Sequence, residues 1–197
     1  MPRRACLPLI ALALLSAAAG VWARQPGELP SAITDPELAR TDYVENCGGC
    51  HGVQGRSAPA ELPQLRDRVG YFLCTPASRA YLLRLPNVAH SRIRDNQQLA
   101  DLMNFVAFGL GGASTPAKAA PFTADEVARE RLLVLSSTSL SKERARHVES
   151  AIKHCNAPAD MRRFYPAAAG YSGPGRRAST SNDVLPRHAA SQMQQGD

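Results

Sequence analysis

Apolar residues recur at helical spacing in several separated stretches. The clearest stretch places Leu99, Leu102, Met103 and Val106 at i, i+3, i+4 and i+7, behind a polar start at Asp95-Asn96-Gln97-Gln98. Gly109, Gly111 and Gly112 are expected to stop this helix. An earlier helix is expected to open at Thr34-Asp35-Pro36-Glu37, which has capping-box spacing and a proline in the first turn. It would run through Leu38, Ala39, Tyr43 and Val44 to about Asn46. Two more helices are expected downstream. One opens at Thr123 with Glu126 and reaches about Leu135; the other covers about 141–155, with Val148 and Ile152 on one face. Between the first two helices, residues 52–94 read as loop-rich. They contain Pro59, Pro63, Pro76 and Pro86 and two short apolar stretches, 69–73 and 80–85. The pattern therefore predicts an all-α chain.

The first apolar run has a different meaning. Arg3 and Arg4 precede an apolar segment over 7–21 that ends in Val21-Trp22-Ala23. That is the plan of a secretory signal peptide, with cleavage expected after Ala23. The run is shorter than the roughly 20 residues a spanning helix needs, and no later stretch has that length. The mature chain is expected to be exported, with no membrane span after signal cleavage. Residues 24–112 then form one domain, 113–165 a helical extension joined through a linker over 113–121, and 166–197 a tail. The tail is rich in Ala, Gly, Ser, Pro and Gln and is expected to be disordered.

Composition narrows the class further. The 197 residues are 44% hydrophobic, which suits a folded chain, and carry a net charge of +6. Two arginines leave with the signal, so the mature charge is smaller and gives no argument for nucleic acid. Arg66, Arg68, Arg79, Arg84, Arg92 and Arg94 crowd the middle segment. Three uses are open for them: pairing with carboxylates of a bound group, a docking face for an acidic partner, or ordinary solvated surface.

The chemistry concentrates at Cys47-Gly48-Gly49-Cys50-His51. The pattern Cys-x-x-Cys-His is the covalent attachment signal for haem c. Two thiols three residues apart can add to the two vinyl groups of one porphyrin, and the adjacent imidazole then lies under the iron as the proximal ligand. A zinc site would want a second Cys/His pair at ligand spacing. A thioredoxin-like dithiol would open a helix after a strand, whereas this pair ends a predicted helix. Removal of Cys6 with the signal leaves Cys74 and Cys155 over, and an exported chain permits a disulfide between them that would tie the extension to the domain. His147 and His154, seven apart on the last helix, read as surface histidines or a minor metal site.

The chain resembles the class I cytochrome c family over roughly 35–112. Tyr43 occupies the aromatic position before Cys47, Cys50 and His51, and the helix from Asp95 to Phe108 looks like the closing helix that packs across the first. The resemblance implies a cytochrome c-like haem domain, one covalent haem c, and His51 as proximal iron ligand. The family usually takes its distal ligand from a Met before the closing helix, and this chain has no Met there. His90, five residues before Asp95, and Met103, inside the helix, are the candidates, and an open sixth position is the third possibility. No nucleophile–base pair or carboxylate dyad suggests an enzyme. The expected function is periplasmic transfer of single electrons between redox partners such as a dehydrogenase and an oxidase. A haem-based gas-binding or sensor protein and a haem subunit of a larger dehydrogenase complex are the alternatives.

Overall fold

A computed structural model describes residues 25–57, 62–136 and 139–164. The expected signal segment, 1–23, and the expected disordered tail, 166–197, lie outside the described residues. Those that are described form helices and connecting loops with no strand. The described residues are all-α, and no described helix is long and apolar enough to cross a membrane.

Helix α1, Pro36–Tyr43, is capped by Asp35, whose carboxylate accepts from Leu38 N at 2.9 Å. Thr34, part of the expected cap, is used elsewhere: its N–H and hydroxyl both donate to the Asp101 carboxylate. The helical path does not end near Asn46. It widens into a π-type turn over Val44–Gly48 and finishes in a last turn, Gly49–His51.

The middle segment is more helical than its pattern suggests. A 3-10 turn over Val69–Leu73 leads to α2, Pro76–Arg84, and a short α3, Pro86–Ala89. Thr75 caps α2 by accepting from Ser78 N, and Pro76 sits in its first turn. Helix α4, Asn96–Asn104, is capped by Asp95 as its sequence predicts and continues through a second π-type turn, Phe105–Leu110. It packs across α1. Tyr43 and Phe105 rings lie 5.6 Å apart, and Gln98 Nε2 donates to the Asp42 carboxylate.

The extension contains α5, Ala124–Glu130, α6, Leu140–His154, and a short α7, Met161–Phe164. Thr123 caps α5 as expected, although the helix stops at Glu130 rather than near Leu135. The extension shares one hydrophobic core with the rest of the chain: Phe122, Val127, Val148 and Met161 are buried with Tyr43, Phe72, Leu83, Leu99 and Phe108.

Four groups of contacts hold it there. Cys74 and Cys155, left over as a pair in the sequence, form a disulfide, with Cα atoms 6.0 Å apart. Fully buried Asn104 donates to Phe122 O and accepts from Phe122 N. Arg79 forks onto Glu126 at 2.5 and 2.7 Å, also donates to the carbonyls of Ala120 and Pro121, and lies 4.1 Å from the Phe122 ring centroid. Arg131 reaches the carbonyls of Ala89, Ile93 and Arg94 and the Asn96 side chain. Arg84 with Glu130 and Arg68 with Asp160 add two further ion pairs.

Candidate functional site

The site is the end of the α1 helical path. The path stops immediately after His51 because Gly52 takes φ +75°. A Cβ there would lie 2.2 Å from Arg56 O, so only glycine fits. Buried Tyr43 pins the turn by donating its hydroxyl to Gly52 O at 2.6 Å. Gly55, also at positive φ, then folds the following loop back: its carbonyl accepts from Leu65 N and Arg66 N, both at 2.9 Å. Arg66 braces the loop through Gln54 O and Gly109 O.

This folding brings the Pro63 carbonyl onto His51. His51 Nδ1 lies 2.9 Å from Pro63 O, which also accepts from Ser57 Oγ at 3.1 Å. A carbonyl can only accept, so Nδ1 carries the proton and donates, and the lone pair of the neutral ring is on Nε2. Burial pushes the His51 pKa below its usual 6.5, the Pro63 bond opposes this, and the charge of Arg144 on α6 adds to the lowering. The imidazole is thus held neutral with one defined nitrogen available to an electrophile.

Cys47 and Cys50 are free thiols on the same terminal turns. Cys47 is partly buried, and burial, with Cys50 and Asp42 nearby, pushes its pKa up to about 11. It remains a thiol at neutral pH. A dithiol redox pair works through a thiol of lowered pKa, and burial moves Cys47 in the other direction. Cys50 is exposed, as are Gly49, Val53, Gln54 and Arg56, and this end of the site opens to solvent.

The other residues singled out by sequence are dispersed. His90 is exposed at the C-terminal end of α3. Met103 is 5% exposed and belongs to the hydrophobic core. Of the six arginines, Arg66 braces the site loop and Arg68, Arg79 and Arg84 pair with the extension, leaving Arg92 and Arg94 exposed. His147 departs most from expectation. It is buried rather than on the surface, while His154 is exposed. The single-sequence signal missed it because the residues that cover it, Ser78 and Tyr81, come from a helix about 70 positions earlier. No cluster of three or more His, Cys, Asp or Glu side chains suited to a metal ion occurs among the described residues.

No family model, no curated protein and no solved structure matches this chain.

Proposed function

We propose that this chain is a c-type cytochrome that holds one covalent haem c and carries single electrons between periplasmic redox partners. The observation that supports it most is the Pro63–His51 hydrogen bond. Metal-ligating histidines donate their second ring nitrogen to a carbonyl or carboxylate, which fixes tautomer and ring orientation and raises basicity at the other nitrogen. His51 has that arrangement, built by a glycine stop and a folded-back loop directly after the two cysteines.

The donor set fits the group. Cys47 and Cys50 are unpaired thiols at the three-residue spacing that suits two porphyrin vinyl carbons, and His51 is a neutral imidazole presenting Nε2. Cys47 and Cys50 would hold the haem edge, and His51 would ligate iron from below. Bound haem supplies a ferric–ferrous couple that takes up and releases one electron.

The protein's own tasks are then orientation, burial and access. Tyr43 and Gly52 fix where the imidazole stands. Leu65, packed against the core, contributes apolar shielding on the side of the returning loop. The exposed residues Gly49, Cys50, Val53, Gln54 and Arg56 give a partner close approach to the cysteine edge, and the exposed Arg56 favours an acidic one.

The test is expression with the haem-attachment machinery of an exporting host. The wild-type protein retains haem stain after denaturing electrophoresis, and Cys47→Ala/Cys50→Ala loses it. Equal staining of the two proteins would reject the assignment.

A further inference from the structure

Two side-chain donors converge on one oxygen behind His51. The imidazole Nδ1 donates to the Pro63 carbonyl at 2.9 Å, and Ser57 Oγ reaches the same oxygen at 3.1 Å. A carbonyl oxygen only accepts, so the hydroxyl donates as the imidazole does, and the acceptor fixes the proton in both bonds. Loop register brings the pair together. Gly55 O accepts from Leu65 N and clamps the two arms of the loop. Ser57 comes two residues after Gly55 and Pro63 two residues before Leu65, so they meet on the same side of the clamp. Pro63 is buried and Ser57 half-buried, which shelters the shared oxygen from water.

Sharing an acceptor couples the two bonds. The carbonyl has two lone pairs and can accept twice. Both donors draw on the same oxygen density, however, so each bond is weaker than it would be alone, and a sheltered setting enlarges the effect. The bond at Nδ1 governs how basic the imidazole is at Nε2. Ser57 therefore weakens the one contact that makes His51 a stronger electron donor. The other braces of the turn act elsewhere. Tyr43 bonds Gly52 O, and Arg66 bonds Gln54 O and Gly109 O.

We propose that Ser57 is a positioning residue that sets the reduction potential of the iron held by His51, by competing with the imidazole for the Pro63 carbonyl; this rests on the haem assignment of the preceding subsection. With the hydroxyl in place, Nε2 is the weaker donor, the ferric state is stabilised less, and the potential stands higher. Without it, the His51–Pro63 bond tightens, the ferric state gains, and the potential falls. The effect passes through two hydrogen bonds that share one atom, and needs no contact between Ser57 and the haem.

The experiment is spectroelectrochemistry of the full-length holo-protein at fixed pH, with proton magnetic resonance of the ferrous form. Wild type, Ser57→Ala and Ser57→Thr are compared, and each sample is scored for covalent haem. Ser57→Ala is expected to shift the ferric–ferrous equilibrium toward ferric by about threefold, a fall of about 30 mV at 59 mV per tenfold. The His51 Nδ1–H resonance should move downfield in the same variant, because its bond to Pro63 O strengthens. Ser57→Thr keeps the hydroxyl and should match the wild type in both readouts. A merely structural role predicts the opposite sign: a loosened Pro63 weakens the His51 bond, moves the resonance upfield and raises the potential. That result, or no change in Ser57→Ala with covalent haem present, would overturn the Ser57 assignment alone. A Ser57→Thr variant that behaves as Ser57→Ala does would overturn it too. Absence of covalent haem from the wild type would overturn the haem assignment as well.

Discussion

The site segment and the extension are held by opposite kinds of contact. From Cys47 to Arg66 the chain is shaped mainly by bonds between near neighbours, Tyr43 to Gly52, Gly52 to Gly55, His51 to Pro63 and Gly55 to Leu65, with Arg66 to Gly109 the distant exception. From Phe122 to Met161 it is held by partners far away in sequence: the disulfide spans 81 positions, Arg79 reaches Glu126, and Ser78 reaches His147. Local contacts define where one imidazole points. Distant contacts supply the stability and the second half of the surroundings of Tyr81. Function and stability are thus separable here by mutation.

The sharpest break of that contrast is removal of the disulfide. Cys74→Ser/Cys155→Ser is expected to cost about 4 kcal/mol by closure entropy of a loop this long, seen as a large drop in melting temperature. Haem staining should persist, because the attachment turn keeps its own bonds. Asn104→Ala comes next. It strands the Phe122 N–H and C=O in a buried setting and should cost about 2–4 kcal/mol in denaturant melts, again without loss of attached haem.

Gly52→Ala inverts the pattern. Its global cost should be smaller, about 1–3 kcal/mol, yet the yield of attached haem should fall most, because His51 loses its stop and Tyr43 its acceptor. A variant that attaches haem normally would show that the local frame is dispensable. Acid is the next probe. The folded His51 and His147 both titrate below 6.5, so the unfolded chain binds more protons as pH falls through that value. Stability should be fully present above about pH 7 and decline as pH drops below 6.5. A melting temperature that rises on acidification from 7 to 5 would contradict the burial of these rings. The smallest effect is expected at Leu132, 81% exposed beyond α5. Leu132→Ser should shift stability by no more than about 0.5 kcal/mol.

The same division explains what the amino-acid pattern could say. Asp95 and Thr123 act through residues three positions on, and their caps sit where the spacing puts them. The Cys47–His51 run ends a helix, as expected, though by way of a π-type turn that no residue pattern announces. Helix α2 was hidden because its buried residues, Ser78, Tyr81, Leu82 and Leu83, do not form a clean apolar stripe, and Arg79 and Arg84 look like surface charges. Those arginines pair with Glu126 and Glu130, more than 40 positions later. The burial of His147 is invisible for the same reason. Cys74 and Cys155 could be left over as a pair, but only the packing of α6 brings them to bonding distance.

The central claim is that Cys47, Cys50 and His51 hold haem covalently. Peptide mapping by mass spectrometry, after acidic organic extraction of non-covalent haem from the exported full-length protein, tests it most directly. The account predicts that one haem mass stays on the peptide containing Cys47 and Cys50 and that both thiols resist alkylation. Two alkylated cysteines on a haem-free peptide, from a host that matures other c-type cytochromes, would contradict it.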